Sequence, residues 1–282
     1  MAAWRNRSDP ARRVAAIGSA SFAPDGPDAG CPPAPLGSEL PAESGSAAGG
    51  FSGLSVVPTP IGHRQDITLR AIDVLQAADV VAAEDTRHSG MLLQHLGIKK
   101  PFVSLHEHNE ARRAEELVAR MAAGAHVALI TDAGMPGISD PGHRLIRAAI
   151  ARGIPLTVLP GPSAVLTALV GSGFPADRFF FGGFLPVKSG RRAAEIARAA
   201  ARAETSIYFE SPHRLVRTLE ALQEACPSRA VCVARELTKT FEDYRRGTPE
   251  AVLAHFLAHP PKGEITLLVA AADRHANAPS DE

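Results

Sequence analysis

A chain of 282 residues, 45% hydrophobic and 21% charged, has room for one large domain or two small ones and reads as a soluble globular protein, with no apolar run near the ~20 residues of a membrane span. Its three cysteines (Cys31, Cys226, Cys232) lack CxxC spacing, which points away from a disulfide framework or a zinc site and fits a reducing cytoplasm. The 30 basic and 30 acidic side chains cancel, which excludes whole-surface attraction to nucleic acid and leaves room only for a local basic patch.

Residues 1–52 are rich in Ala, Gly, Pro and Ser without an apolar period and are expected to form a disordered extension. The folded part starts with LSVV, a buried strand stopped by Pro58-Thr59-Pro60-Ile61-Gly62. Asp66 is expected to cap a helix whose Leu69, Ile72 and Leu75 share a face. DVVAA is a second strand ending in Glu84-Asp85-Thr86-Arg87, and the next helix stops at Gly97. FVSL runs into His106-Glu107-His108-Asn109, with Asn109 as cap of a helix ended by Gly124.

The stretch AHVALITDAGMPGISDPG, Ala125 to Gly142, then feeds an apolar strand into Asp132 and a glycine-rich loop. Asp140-Pro141 reads as the next helix start, with Asp140 as N-cap. The strand LTVL stops at Pro160-Gly161-Pro162-Ser163, and another helix runs to Gly171. Five strands alternating with helices predict a parallel sheet covered on both faces, with the loops at Pro58, Glu84, His106, Asp132 and Pro160 along one edge. No GxGxxG follows the first strand, so a nicotinamide or flavin site is not expected.

The pattern restarts around Ser172 to Pro175. FFFGGF, SIYF, AVCVA, FEDYRRG and EITLLVA read as strands of a mixed sheet, with helix starts at Ser211-Pro212 and Thr248-Pro249. Between them Pro186 to Arg202 carries Lys188, Arg191, Arg192, Arg198 and Arg202 against Glu195. The expected division is 53–172, 173–272 and a flexible tail, 273–282.

The stretches VVPTPIG, AAEDTRHSG, HEHNE, TDAGMPGISDPG, LPGPSA, FESPHR, ARELTKTFE and KGEITLLV stand in the order found in RsmI-type ribosomal RNA methyltransferases. From Leu54 to about Ala271 the chain thus resembles a branch of the tetrapyrrole-methylase superfamily. The resemblance implies two α/β domains, the first Rossmann-like, with S-adenosyl-L-methionine in the cleft between them, and a homodimer. It also implies methyl transfer to the ribose 2′-oxygen of a cytidine in the decoding region of 16S rRNA in the small ribosomal subunit.

By residue type and by resemblance, Asp132, Gly134, Met135, Pro136, Gly137 and Ile138 are candidate cofactor contacts. Ser163 and Ala164 open a helix whose N–H groups can face a ligand. The superfamily adds Pro58 and, in the second half, Phe209, Leu237 and Glu264 to Thr266. A ribose hydroxyl needs a base within hydrogen-bond reach. Glu84, Asp85, Glu210, Glu236 and Lys239 are the candidates, against plain ion pairs at Glu84 to Arg87 and at Glu236 with Lys239. Arg87, Lys188, Arg191 and Arg192 are the RNA-binding candidates, extended by Arg112-Arg113 and Arg245-Arg246, against a solvated helix face. His106 and His108 would share one side of a strand, but no third ligand follows, and no metal is expected.

Two other readings stay open. A small-molecule tetrapyrrole methylase shares the fold, although the basic segment and the FESPHR, HEHNE and EDTRH stretches point away from it. A non-catalytic ribosome-assembly module is the other, and the intact glycine loop weighs against it.

Overall fold

The computed structural model describes residues 51–272. The extension read at 1–52, apart from Phe51 and Ser52, the tail 273–282 and Cys31 lie outside the described residues. Strands β1 (Gly53–Val56), β2 (Val80–Ala83), β3 (Phe102–Ser104), β4 (His126–Leu129) and β5 (Leu156–Val158) form a sheet in the order β3-β2-β4-β1-β5. Every neighbouring pair is parallel, as the alternation with helices requires. The inner strands β1, β2 and β4 are buried along their whole length because both faces are covered, and β2 is apolar throughout. Val80 and Ala82 pack toward α3 (Glu110–Ala122) and α4 (His143–Ala151). Val81 and Ala83 pack toward α1 (Leu69–Ala77) and α2 (Thr86–His95).

A second sheet holds β6 (Phe179–Phe184), β7 (Thr205–Glu210), β8 (Val231–Arg235), β9 (Asp243–Gly247) and β10 (Ile265–Val269) in the order β6-β7-β10-β8-β9. It is mixed, as expected: β6 and β7 run parallel and the other pairs antiparallel. Helices α6 (Ser189–Ala201), α7 (Leu215–Ala225) and α8 (Pro249–Ala258) cover one face. The other face receives α5 (Ala164–Ser172), so the helix read as the last of the first half packs on the second sheet through Val165, Ala168 and Leu169.

Several helix starts differ from the sequence expectation. Thr68, not Asp66, caps α1, its hydroxyl accepting from Ala71 N at 3.1 Å, while Asp66 closes a short 3-10 turn. Leu69 is 81% exposed, so the inward face of α1 is Ala71 and Leu75. Asn109 does precede α3, but its Oδ1 accepts from His106 N and closes the turn before the helix. His106 and His108 lie in that turn, beyond the end of β3. Ser211 likewise closes a turn, accepting from His213 N, and α7 begins only at Leu215. Thr248-Pro249 starts α8 as read, with the Thr248 hydroxyl accepting from Ala251 N.

Candidate functional site

The loops after β1 and β4 leave neighbouring carboxyl ends and are tied to one another. Thr59 and Gly134 exchange two backbone hydrogen bonds of 3.0 Å, and the Thr59 hydroxyl donates to Thr131 O. Gly134 has φ +84°, where a side chain is strained, and its vacant Cβ position lies 3.4 Å from Ile61 Cγ2. The glycine loop ends differently from the sequence expectation. Asp140 does not cap α4; Gly142 is its N-cap, at φ +128° and pressed against Leu129. The capping oxygen comes from α3, where Glu110 Oε1 accepts from Gly142 N (2.9 Å) and Arg144 N (2.8 Å). With the helix donors satisfied from behind, Asp140 is left to face the space in front of the loop.

That space is a cleft of about 360 Å³, within the range of small-molecule sites. Gly134, Met135, Ile138 and Asp140 line one side, and the start of α5 (Ser163 to Val165) lines another. The Ser163 hydroxyl caps α5 through Leu166 N, leaving the first-turn N–H groups of Ala164 and Val165 without intrahelical acceptors. The opposite wall belongs to the second sheet: Phe209 on β7, Thr266 on β10, and Leu237, Gly263 and Glu264 from adjoining loops. Ile61, Phe184, Phe209 and Leu237 make much of this lining apolar.

One loop of the second sheet is held in an unfavourable conformation. Glu236 and Thr238 have φ 50° and 62°, the left-handed region that non-glycine residues rarely adopt. Its surroundings hold it there. Lys239 Nζ donates to Glu236 and Glu264 at 3.0 Å each, Glu236 Oε1 also accepts from Glu264 N, and His63 N donates to the Thr238 hydroxyl. Gly62 and Gly263 approach so closely that a Cβ would collide with Lys239 Cγ and with the Glu236 carboxylate, respectively.

The carboxylates in and around the cleft separate into committed and uncommitted groups, with Asp140, Glu210 and Glu264 in its lining. Asp85 caps α2 through Arg87 N and also pairs with the Arg87 side chain, and those hydrogen bonds hold its pKa down at about 2. Burial opposes the ionisation of Glu236, yet the Glu264 N–H and Lys239 keep its pKa below the ordinary carboxylate value. Burial likewise opposes the charge of Lys239, but its two carboxylates raise its pKa and fix it as a cation. Glu210 is buried and fully engaged, taking Ser211 N, the Thr218 hydroxyl and Arg214 at 2.7 Å each. Glu84 has no hydrogen-bond or ion-pair partner for its carboxylate among the described residues. Burial first, then Asp140, Asp132 and Asp85, raise its pKa. Asp140 is raised too, by burial and then by Asp132.

The basic segment is less available than its charge run implies. Arg192 faces inward with Ile196 and Ala199 and donates to Val187 O, so it is a buried residue of α6 and does not present its charge to solvent. Arg198 and Arg202 are both held by Glu195. Lys188 and Arg191 remain exposed, as does Arg87 despite its pairing with Asp85. Arg112 and Arg113 share Glu116.

A family model, Tetrapyrrole (Corrin/Porphyrin) Methylases, matches residues 53–252. The chain belongs to this family. Among similar proteins, one from Mesorhizobium japonicum named ribosomal RNA small subunit methyltransferase I is 49% identical over 230 residues, 81% of this chain and 78% of that protein. A protein of the same name from Escherichia coli O157:H7 is 47% identical over 220 residues, 77% of each chain. A crystal structure of uroporphyrin-III C-methyltransferase from Thermus thermophilus, complexed with S-adenyl homocysteine, shares the fold. Its TM-score is 0.54 at 18% identity, covering 77% of this chain and 96% of that one.

In this methylase Gly134, Met135, Ile138, Ser163, Ala164, Phe209, Leu237 and Thr266 line the cleft, as the sequence reading has them together. Pro58, Asp132, Pro136 and Gly137 stand outside the lining, as do the candidate bases Glu84, Asp85, Glu236 and Lys239. Pro58 is buried beneath Gly161, and Asp132 accepts from Asp85 N at 3.4 Å. Ser139, Asp140, Phe184 and Gly263 line the cleft without having been singled out. Asp140 was readable as a loop carboxylate near Asp132, but its apparent role as a helix cap concealed it.

Proposed function

We propose that this methylase transfers a methyl group from S-adenosyl-L-methionine to the ribose 2′-oxygen of a cytidine in the decoding region of 16S rRNA. The observation that carries the reading is a cleft walled by a left-handed glycine loop and a helix N-terminus, in a chain nearly half identical to small-subunit rRNA methyltransferases. The residues suit the cofactor. The backbone comes close at Gly134, the N–H groups of Ala164 and Val165 offer donors, and Asp140 offers a carboxylate to a cationic group of the cofactor. When bound, the cofactor supplies an electrophilic methyl on a sulfonium.

The chain's own part is orientation, exclusion of water and proton removal. Ile61, Phe209 and Leu237 keep the reacting centre dry. Glu84, outside the cleft lining but close enough to the cleft residue Asp140 for that carboxylate to raise its pKa, is the base: it alone among the candidates has a free carboxylate, and its raised pKa brings it nearer the working pH. Asp85 is spent on capping α2, and Glu236 and Lys239 are spent on each other and on Glu264. Arg87, Lys188 and Arg191 are exposed cations for rRNA phosphates. The same reading places the protein in the cytoplasm, as domains 53–172 and 173–272 in a homodimer, supported by Leu166 and Val170, which are exposed one turn apart on α5.

Mass spectrometry of small-subunit rRNA from cells with and without the gene tests the reading. The expected result is loss of one ribose methyl on a decoding-site cytidine, restored by purified protein with S-adenosyl-L-methionine. An unchanged methylation map refutes it and favours a tetrapyrrole substrate.

A further inference from the structure

A second cavity, about 570 Å³, opens on the α8 side of the second sheet. It adjoins the cleft, since Gly263 lines both. Glu236 borders this cavity and Glu264 borders the cleft, and Lys239 joins the two carboxylates, so the Lys239 network forms part of the partition.

Strand alternation fills the cavity with cations. Arg235 pairs with Asp243 and Val233 with Arg245 across β8 and β9, so all four project to the face that α8 covers. Arg246, the next residue, turns to the other face and donates to Ser172 O and Gly171 O. Arg245 is matched by Asp243 at 2.8 Å, and Glu236 is taken by Lys239. Arg235 and Lys262 are left without a carboxylate partner among the described residues; the Arg235 guanidinium reaches only Lys262 O, at 3.4 Å. Burial first, then Arg245 and His259, push the His255 imidazole pKa down, with Asp243 opposing.

Phe241, 70% exposed, completes the lining. An aromatic face in water beside unmatched cations suits a single-stranded nucleotide, whose base stacks while its phosphate meets the charge. An acidic peptide would satisfy the cations and leave Phe241 without a role.

We propose that this cavity is an RNA subsite for a nucleotide flanking the methylated one, its base on Phe241 and its phosphate at Arg235 and Lys262. The inference rests on the rRNA reading above. It would give this electrically neutral chain the local basic patch that the segment from Lys188 to Arg202 largely fails to supply.

The test uses the full chain and the exposed substitutions Phe241→Ala, Phe241→Trp and Lys262→Ala. Binding of a short fluorescent single-stranded RNA is followed by anisotropy, and methyl transfer to undermethylated small subunits is followed by radiolabel. Phe241→Ala should weaken RNA binding and raise KM for the subunit at least about fivefold, with kcat and cofactor affinity within about twofold. Phe241→Trp should retain binding, and Lys262→Ala should lower the salt slope of RNA binding by about one. RNA binding unchanged in both alanine variants overturns the subsite, whatever the methylation result. Dissociation of a dimer by Phe241→Ala overturns it too, by assigning the face to self-association. Failure of the wild-type protein to methylate subunits, with RNA binding still sensitive to Phe241, would overturn the rRNA methyltransferase reading and leave the RNA subsite standing.

Discussion

Glu110→Ala should destabilise the fold and weaken cofactor binding, although Glu110 does not line the cleft. The residue is 7% exposed, and its Oε1 takes the N–H groups of Gly142 and Arg144 at the start of α4. In the alanine variant the exposed Arg144 end can find water, but Gly142 is buried and its N–H is left unpaired, a cost of about 1–3 kcal/mol. Loss of a carboxylate at the positive end of the helix adds about 0.3–1 kcal/mol. Relief from burying that carboxylate offsets part of the sum. The net is about 2 kcal/mol, roughly a 30-fold shift in the folding equilibrium. Glu110→Gln keeps a carbonyl oxygen that can accept both bonds and should cost at most about 1 kcal/mol. Urea unfolding followed by circular dichroism measures both variants, and calorimetry measures the cofactor affinity that follows the loosened glycine loop. An alanine variant within about 0.5 kcal/mol of wild type would refute the capping role. A glutamine variant as damaged as the alanine one would show that charge, not hydrogen bonding, holds α4.

Glu84→Gln should lower kcat by about 10²- to 10⁴-fold while cofactor affinity stays unchanged, and retained turnover would remove Glu84 as the base. Glu84 must be ionised to take a proton, so activity should rise with pH through its raised pKa. Asp140→Asn removes one of the carboxylates that raise it and should move that acid limb to lower pH in a pH–rate profile. The same raised pKa values imply stability that is full below the ordinary carboxylate range and declines as pH rises through them, so Asp140→Asn should also stabilise the protein at neutral pH in thermal melts. Asp132 stands outside the cleft lining, so Asp132→Ala should leave cofactor affinity within about twofold by calorimetry, and a loss of about tenfold or more would bring Asp132 into the cofactor site. Arg192→Ala should cost about 1–2 kcal/mol in urea unfolding through lost packing, whereas Arg191→Ala should leave stability alone and weaken RNA binding.

What was legible in the sequence was what local chemistry determines. A run such as VVAA, apolar on both faces, has to be an inner strand of a covered sheet, and a parallel sheet then brings Pro58, Glu84 and Asp132 to one edge without further information. Thr248-Pro249 was readable because the cap and the helix it caps are adjacent. Asp140-Pro141 satisfied the same local rule and failed, because a carboxylate far back in the chain, on α3, supplies the capping oxygen. No window of sequence shows that competition. Nor does one show that Glu236 and Thr238 adopt left-handed conformations, since neither is glycine and hydrogen bonds from the distant His63 and Glu264 help hold them.

The basic residues divide differently. Arg192, Ile196 and Ala199 stand at helical spacing, so the inward turn of Arg192 follows from the period once α6 is accepted. Counting charge along the segment hid it. In β9 the period of two sends Arg245 toward α8 and Arg246 toward α5, so adjacent arginines serve different faces. Only Arg245 reaches the cavity beside the cleft. Charge in this protein is therefore positioned by secondary-structure period, and a patch for RNA has to be sought face by face, where Arg235, Lys262 and Phe241 meet, rather than along the chain.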